Sequence, residues 1–513
     1  MFKNDRCSLA DLLGETYINN LLTANLFLDE ENVSELRNCA FEKVCVSTNI
    51  GKEKLDSLLS KVATQVVPLE SLNNDGAPTD SYRAAFNRNA APVTGLGSFR
   101  IGEDGRLYYV GKSEHYHSSL GHNFPGYMLI DNARKLGVLN ATHNNTRGYI
   151  TRLLESELIR TANGIEKGDT EKLAQVLESK EKHVLNRVIN LETGSLAVEA
   201  GIKMMLNRFY KQDANDTGPS YGDRIPVFLV MADHKGGLEA NYHGTTVLAQ
   251  TLRNVWPEFY RKAEESGLYK VVSVQINNIE DFRAKIAAYN TPPYKTAGFL
   301  HEIVLMNYAG IVLDEDFLHH AYALCEMYDT PKLADEIQSC VWYPELYLFR
   351  KYKLNPDFVI IGKGFGGGEY PASKILTTAQ MDSLLQFGAL VTNGQEELAS
   401  LAYLVTMRFV QENAEVIEAN EELFMNKLKD LAKEHGTIVK CAQGIGFLAA
   451  LEFYDLYKAK DFAKLVNQNC IDVSSQAYKL NCPPAVLIKL PLITTPAEID
   501  FLIHTFNQVL AQM

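Results

Sequence analysis

The sequence predicts an α/β protein with a large, mostly parallel sheet, a smaller C-terminal α+β lobe and a helical N-terminal segment. Between about residues 190 and 390, short apolar runs rich in β-branched residues alternate with helical segments, which is typical of buried parallel strands. The last hundred residues combine strand-like runs with a terminal helix, which indicates a small α+β lobe. The predicted parallel strands are 225–231, 269–276, 298–306 and 356–362.

We expect three regions along the chain: a helical extension over 1–82, a large domain over 83–400 and the small lobe over 401–513. Segment 98–125 is expected to contribute strands to the small lobe. The terminal helix begins with Thr495-Pro496-Ala497-Glu498, which predicts a capping box with proline in the first turn.

The N-terminal extension reads as two helices and a linker. Ser8 and Asp11 form a plausible capping pair, and apolar residues follow at helical spacing as far as Leu22. A second helix is predicted over Leu55–Val66. Segment 71–80 is rich in Asn, Asp, Gly and Pro, which predicts a linker. We expect this extension to pack against the main body.

Composition excludes several classes of protein. The 513 residues include 50 Lys+Arg and 63 Asp+Glu, so the net charge is −13, and no basic stretch suits general nucleic-acid binding. No run approaches the roughly 18 uncharged apolar residues of a membrane span, and the first twenty residues suggest neither a signal peptide nor an anchor. The eight cysteines lack CxxC spacing, which favours free thiols in a reducing cytoplasm.

The most informative segment is PDFVIIGKGFGGGEY, in which a buried strand leads Lys363 into a glycine-rich loop. Burying a lysine there is costly unless the protein uses it. Gly362, Gly364 and Gly367 also match the dinucleotide pattern GxGxxG, but EYPASKI follows in place of an obvious helix start. The segment alone leaves open a tight glycine turn, a nicotinamide site and a reactive lysine.

Asp335, in KLADEIQ, changes that balance. It lies at the end of a short predicted strand about one βαβ step before Lys363, and neighbouring parallel strands would bring both side chains to the same sheet edge. The two residues could form only a salt bridge. They are also what pyridoxal phosphate (PLP) requires, since the lysine forms a Schiff base and a carboxylate pairs with the pyridine nitrogen. Gln338, three residues on, could reach the phenolic oxygen of the cofactor.

ADEIQ followed by PDFVIIGKGFGGG resembles the class III, or ω-aminotransferase, family of fold type I PLP enzymes. Other blocks occur in the order found in that family, from about residue 85 to the end. They are SFRIGEDGRLYY and SLGHNFP (98–125), TGSLAVEAGIK (193–203), NYHGTT (241–246), HEI with NYAG (301–310), LVTNGQEELA (390–399) and GIGFLAALEF (444–453). The resemblance implies a seven-stranded-type, mostly parallel sheet, PLP as cofactor, and transamination between an amino acid or amine and an oxo acid or aldehyde.

The resemblance also implies roles for particular residues. Lys363 would be the Schiff-base lysine, Asp335 the partner of the pyridine nitrogen, and Gln338 the partner of the ring hydroxyl. Cofactor-binding roles are further implied for Gly194 and Ser195 at the phosphate, Tyr242 stacked on the ring with His243 beside it, Glu302 near the cofactor, and Thr392 at the phosphate of the neighbouring subunit. Small-molecule substrates and a homodimer with shared active sites follow from this pattern.

Some positions depart from the family pattern and leave the substrate open. Asn307 stands where many members have a second glutamate, and Lys489 aligns with an arginine that binds substrate carboxylate. A bulky segment, CVWYPELYLF (340–349), replaces a glycine-rich stretch, and a charged insertion at 166–184 predicts a solvated helix. An aminomutase, lyase or racemase on the same fold, or a non-catalytic relative, would share Lys363 and Asp335.

Two other kinds of site are disfavoured. The pairs His115 with His117 and His319 with His320 lack a carboxylate and a third ligand at useful spacing, so no metal is expected. The sequence contains no GxxxxGK[ST], so phosphoryl transfer through a P-loop is also set aside.

Overall fold

The computed structural model describes residues 2–28, 33–48, 50–69, 74–83, 87–141, 146–215, 218–371, 373–477, 479 and 481–513. The N-terminal region contains a two-stranded ribbon and short helices: β1 (Arg6–Cys7), α1 (Leu9–Leu13), α2 (Glu15–Leu28), α3 (Val33–Phe41), β2 (Val44–Cys45), α4 (Lys52–Leu59) and α5 (Asp80–Arg83). It packs on the rest of the chain, since the Arg408 guanidinium donates to the Asp5 carboxylate at 2.6 and 3.1 Å and the Tyr17 ring stacks on Tyr149.

The next segment forms an antiparallel three-stranded sheet followed by helices. Its elements are β3 (Pro92–Leu96), β4 (Phe99–Gly102), β5 (Leu107–Tyr109), a single turn α6 (Ser113–Tyr116), α7 (Met128–Lys135), α8 (Tyr149–Ala162) and α9 (Thr170–Glu178). The charged insertion therefore does contain a helix, and none of the residues of α9 is buried, as predicted. The backbone of Tyr109 bonds to Cys470 and Asp472, which joins this segment to the C-terminal lobe.

The large domain alternates strands and helices in the predicted manner. Its elements are β6 (Leu185–Leu191), α10 (Gly194–Leu206), β7 (Ile225–Met231), α11 (Val247–Thr251), α12 (Pro257–Glu265), β8 (Lys270–Val274), α13 (Ile279–Ala288), β9 (Tyr294–His301), β10 (Val304–Leu305), β11 (Ile311–Val312), α14 (Glu315–Met327), β12 (Lys332–Asp335), α15 (Leu348–Lys351), β13 (Phe358–Ile361) and β14 (Ser373–Thr378).

Seven of these strands form one sheet in the order β6-β14-β13-β12-β9-β7-β8. The strands are parallel except for β14, which pairs antiparallel with both β13 and β6. Alternate residues of β7 belong to different hydrophobic clusters, with Val227 and Leu229 on one face and Phe228 and Val230 on the other. The sheet is thus buried on both faces, which explains the nearly continuous apolar runs of its strands. The predicted α/β class with a mostly parallel sheet is confirmed.

The C-terminal lobe is an antiparallel sheet with helices. Its elements are α16 (Glu397–Glu412), α17 (Ala414–Glu434), β15 (Val439–Ile445), β16 (Leu448–Phe453), α18 (Leu456–Gln468), β17 (Ser474–Ser475), β18 (Ala485–Lys489) and α19 (Pro496–Leu510), with strand order β15-β16-β18-β17. Helix α19 begins with the predicted capping box, in which Thr495 and Glu498 bond reciprocally to each other's backbone. The expected boundary at residue 400 falls inside α16.

Two N-terminal helix predictions are wrong in extent. The capping box at Ser8 is present, but Gly14, at φ +89°, separates α1 from α2, so the predicted helix is in two parts. The second helix ends at Leu59, and Val62 and Val66 pack against the core from the following turn. Their spacing reflects burial rather than helical period. Of the predicted linker, 71–73 lie outside the described residues and 74–79 have no regular structure.

Candidate active site

Lys363 lies where β13 ends, in a short 3₁₀ turn that spans Lys363–Gly366. The neighbouring parallel strand β12 ends at Asp335, which is in register with Ile360, so both side chains reach the same edge of the sheet. The predicted adjacency is therefore confirmed. Burial lowers the pKa of Lys363, and the carboxylates of Glu302 and Asp335 oppose that effect.

Close packing requires a glycine at position 364 of the glycine-rich loop. A Cβ atom there would lie 2.1 Å from Cζ3 of Trp342 and 2.8 Å from Cγ2 of Val341. The loop turns directly from β13 into one 3₁₀ turn and a left-handed Gly367 rather than into an α-helix, unlike a dinucleotide-binding loop. The nicotinamide interpretation of GxGxxG is therefore wrong.

Asp335 is held from two sides. Its Oδ2 accepts a hydrogen bond from Nδ1 of His243 at 2.9 Å, and its Oδ1 accepts one from the backbone N–H of Ile337 at 3.2 Å. The side chains of Asp335 and His243 are each 1 % exposed. A carboxylate with a donor on each oxygen keeps one orientation, so Asp335 is positioned to present its charge to a bound group.

These side chains face a cavity of about 230 Å³ at the carboxyl ends of the strands. Six of the sequence-predicted residues line it: Gly194, Ser195, Tyr242, His243, Asp335 and Lys363. Thr193 caps α10, since its Oγ1 accepts the Leu196 N–H at 3.4 Å. The Ser195 Oγ accepts the Thr245 N–H at 3.0 Å, which joins the two loops at this end of the cavity.

Three sequence-predicted residues do not line the cavity. Gln338 Nε2 donates to Glu302 Oε1 at 2.8 Å, and both side chains are buried beside it. Burial, followed by the charge of Asp335, raises the pKa of Glu302. Thr392 is exposed on the surface of its own chain, in a loop that precedes α16. Of the nine site residues predicted from sequence, six therefore line one cavity, and Glu302 and Gln338 form a hydrogen-bonded pair.

Sequence reasoning missed other cavity residues. His117, directly after α6, and Tyr370, in the segment before β14, line the cavity, and neither position carries a local pattern that marks it. Residues Ser113, Glu114 and His115 of α6 all have positive φ, a conformation that is rare for residues with a side chain. Glu114 is fixed there by Arg100 and by Nε2 of His122 at 3.0 Å. Thr193 and Ile337 adjoin predicted residues and follow from the same motifs.

Two of the departures from the family pattern, Lys489 and the bulky segment 340–349, lie close together. The Lys489 ammonium donates to the Gln338 carbonyl and lies 3.8 Å from the centre of the Trp342 ring. Lys489 is completely buried, and its pKa is lowered first by burial and then by Lys363. The Trp342 indole donates to the Leu490 carbonyl at 2.9 Å. Lys489 is therefore engaged inside the protein rather than exposed to the cavity.

Comparisons with known proteins agree with this geometry. The family model described as aminotransferase class-III matches residues 120–510. An acetylornithine aminotransferase from Oceanobacillus iheyensis is 26% identical over 352 residues, which are 67% of this chain and 78% of the relative. An ornithine aminotransferase from Halalkalibacterium halodurans is 25% identical over 328 residues, 63% of this chain and 75% of the relative.

Solved structures show the same fold at lower sequence identity. An ornithine aminotransferase from Toxoplasma gondii superposes with a TM-score of 0.66 at 17% identity, covering 85% of this chain and 96% of that chain. Another structure of the enzyme from that organism, described as having partial occupancy of PLP at the active site, gives a TM-score of 0.64 at 19% identity and covers 84% and 93%. With the family model matching most of its length, this chain belongs to the PLP-dependent class-III aminotransferase family.

Proposed function

We propose that this aminotransferase moves an amino group between an amino acid or amine and an oxo acid or aldehyde in the cavity beside Lys363. The observation that carries the assignment is a buried lysine beside an oriented carboxylate at the ends of neighbouring parallel strands. When bound, PLP supplies an aldehyde that exchanges amino groups and a ring that accepts the electron pair of a broken C–H bond.

The described residues fit this cofactor at both ends. Gly194 and Ser195 begin the 13-residue helix α10, where the first N–H groups have no helical acceptor and the helix dipole favours a phosphate. At the other end, Asp335 would hold the pyridine nitrogen. The buried atoms Nε2 of His243 and Oε1 of Gln338 have no hydrogen-bond partner among the described residues, which leaves polar capacity for a bound group.

Tyr242 and Glu302 complete the assignment. Tyr242 lines the cavity, and its ring has the Arg253 guanidinium carbon 4.8 Å from the ring centre, which supports the ring as a fixed flat surface for the cofactor. Glu302 accepts a hydrogen bond from Nε2 of Gln338, which fixes the side-chain amide of Gln338. Oε1 of the same amide has no partner among the described residues and can therefore accept a hydrogen bond from a bound group. We assign Gln338 to the ring hydroxyl on this basis.

Lys363 carries the proton-transfer role. Because burial lowers its pKa, a larger fraction of the side chain is a neutral amine near neutral pH than for an exposed lysine. A neutral Nζ can attach to the cofactor and, once an amino substrate has displaced it, can take a proton from the substrate carbon and return it. Because Lys363 lies just after the end of β13, its Nζ stays at the cavity during both proton transfers.

We assign the protein to a homodimer in which each active site contains residues from both subunits. Thr392 is exposed on its own chain, which supports its presentation to the phosphate site of a second subunit. Leu385 and Phe387, in the preceding loop, are 50% and 78% exposed, an apolar surface that a subunit interface would cover. We also assign a cytoplasmic location, which the free state of all eight cysteines supports. None of the described helices has the length and hydropathy to cross a membrane.

Donor screening tests the function. The PLP form of the purified enzyme is incubated with single amino donors, and conversion to the pyridoxamine form is followed by absorbance. Ornithine and acetylornithine are the first donors to test, since relatives named for these substrates match the chain. We expect conversion with at least one donor and its reversal by an oxo acid or aldehyde. Substrate racemisation or elimination without conversion would instead assign the site to another PLP reaction.

A further inference from the structure

A lysine that the reaction does not use is buried beside the loop that carries Thr392. Lys374, the second residue of β14, is 1 % exposed, and its Nζ donates to the Gly394 carbonyl at 2.7 Å. Burial lowers the pKa of Lys374 to about 8, with Glu155 and Glu396 acting in the opposite direction. Burying an ammonium is costly, and the hydrogen bond to the Gly394 carbonyl offsets part of that cost.

Gly394 links that lysine to the edge of the cavity. With φ at +99°, Gly394 lies so close to the end of β6 that a Cβ atom would be 2.8 Å from the carbonyl carbon of Leu191. The residues directly after Leu191 are those that line the phosphate end of the cavity in the same chain: Glu192, Thr193, Gly194 and Ser195. Lys374 lies on the adjoining strand, in register with Asn190. Lys374, Gly394 and the end of β6 at Leu191 therefore pack together.

The rest of the loop is fixed on its C-terminal side. Glu396 Oε2 accepts the Gly394 N–H at 2.8 Å. The buried carboxylate of Glu397 accepts the N–H groups of Ile150 and Thr151 at 2.8 and 3.0 Å, which caps α8. Thr392 extends only two residues beyond this anchored part. On the N-terminal side Val391 packs against a hydrophobic cluster, so Thr392 lies between that contact and the Gly394 carbonyl that Lys374 holds.

We infer that Lys374 is a positioning residue that holds the Thr392 loop in place for the active site of the partner subunit. The inference rests on the proposed shared site, in which Gly194 and Ser195 serve the phosphate of their own chain and Thr392 serves the other. Gly394 also lies against Leu191, so the Thr392 loop rests on the end of β6 in its own chain. Loss of the ammonium should therefore weaken cofactor binding in the partner's site.

The test uses heterodimers made from differently tagged chains. Lys363→Ala removes the attachment point, so borohydride trapping labels only the chain that retains Lys363. In the first heterodimer, Lys374→Met pairs with Lys363→Ala, and the labelled site receives its loop from a chain with Lys374. In the second, a wild-type chain pairs with the double variant Lys363→Ala/Lys374→Met, and the labelled site receives the altered loop. Labelling is measured against PLP concentration.

We expect wild-type PLP affinity in the first heterodimer and about tenfold weaker affinity in the second, the effect of one lost hydrogen bond. The reverse pattern, or equal affinities, would overturn the inference. Lys295→Met is the matched control. Lys295 is also buried, it donates to the Tyr328 carbonyl at 2.7 Å, and its pKa is also lowered to about 8. It lies at the start of β9, at the opposite end of the strands from the cavity. This substitution should leave both affinities unchanged.

Thr392→Ala, placed in the same two arrangements, separates this inference from the shared-site proposal. If Thr392→Ala weakens binding only in the partner's site and Lys374→Met does not, only the role of Lys374 fails. If Thr392→Ala has no such effect, the shared site itself fails. Should Lys374→Met not assemble, Gly394→Ala tests the same link, since its Cβ would displace the loop from Leu191, and the same pattern is expected.

Discussion

Nδ1 of His243 lies 2.9 Å from Oδ2 of Asp335, and the two side chains are shielded from solvent. Since the N–H of Ile337 satisfies the other carboxylate oxygen, Asp335 has little freedom to turn. His243 follows Tyr242 in the chain, so one loop supplies both an aromatic surface and the group that orients the carboxylate. The pair makes the placement of Asp335 depend on a loop that is remote in sequence.

Asp335→Asn should retain PLP yet lower kcat by several orders of magnitude. A neutral amide cannot hold a proton on the pyridine nitrogen, while the phosphate site that we assign to the start of α10 is unchanged. His243→Phe should have the smaller effect of one charge-assisted hydrogen bond, about ten- to hundredfold in kcat. Both are measured by steady-state kinetics with PLP content determined on the same preparation.

A double variant gives the control for this pair. If His243 acts through Asp335, combining His243→Phe with Asp335→Asn should be no worse than Asp335→Asn alone. Additive losses would mean that His243 has a separate role, and a near-normal rate for Asp335→Asn would mean that the ring is not used as proposed.

Reduction with borohydride should attach the pyridoxyl group to Lys363. The expectation follows from the lowered pKa of Lys363 and its place at the cavity, and peptide mapping by mass spectrometry measures it. Lys363→Ala is the control and should give no labelled peptide. A label on Lys235 or Lys489 in the wild-type protein would contradict the assignment.

The relation between Asp335 and Lys363 could be predicted from sequence because chain order and buried apolar runs define parallel strands. Once two such strands are neighbours, the residues that end them meet at one edge. The end of the cavity that we assign to the phosphate could be predicted for a similar reason, since the Thr-Gly-Ser segment follows β6 and begins α10. In both cases a local pattern determines the position.

Other parts of the site depend on packing between distant segments. Trp342 covers Gly364, and His117 enters the cavity from a turn held by Arg100 and His122. No periodicity predicts a left-handed turn of residues that have side chains, because its cost is offset only by contacts made in the folded chain. For the same reason the internal engagement of Lys489 could not be foreseen.

Lys489→Met should leave the choice of acceptor nearly unchanged. Lys489 is completely buried against the Gln338 carbonyl and the Trp342 ring and does not line the cavity, so we expect it not to reach a substrate carboxylate. We expect the ratio of kcat/KM for 2-oxoglutarate to that for pyruvate to stay within about threefold of wild type, less than the tenfold that one lost ionic contact would give. A selective loss of the dicarboxylate substrate would show that Lys489 binds it.

Glu421→Gln should stabilise the protein at neutral pH and flatten its pH dependence. Burial raises the pKa of Glu421 to about 8, whereas an exposed glutamate titrates near 4.5. Between these values the folded state binds the proton more tightly than the unfolded state, so stability falls as pH rises from about 4.5 to 8. At pH 7 the cost is on the order of 3 kcal/mol.

Urea unfolding at pH 5.5 and 7.5 measures this effect. The gain in unfolding free energy from Glu421→Gln should be larger at pH 7.5. Glu415→Gln, an exposed position on the same helix that does not shift the pKa of Glu421, is the matched control and should give the same small change at both pH values. An equal gain at both pH values for Glu421→Gln would mean that the carboxyl titrates normally.

Thr392→Ala should weaken PLP binding, because one hydrogen bond to a charged phosphate is worth roughly 1.5–3 kcal/mol. A mixture of Thr392→Ala chains with Lys363→Ala chains locates that bond. In a heterodimer, the site of the Thr392→Ala chain keeps Lys363 and receives an intact Thr392 from its partner, while the other site has both defects. Activity should therefore rise above that of either parent, up to the level set by mixing Lys363→Ala with wild type. If confirmed heterodimers show no gain, Thr392 acts within its own chain or has no role at the phosphate, because a residue acting in its own chain could not be replaced by its partner's copy.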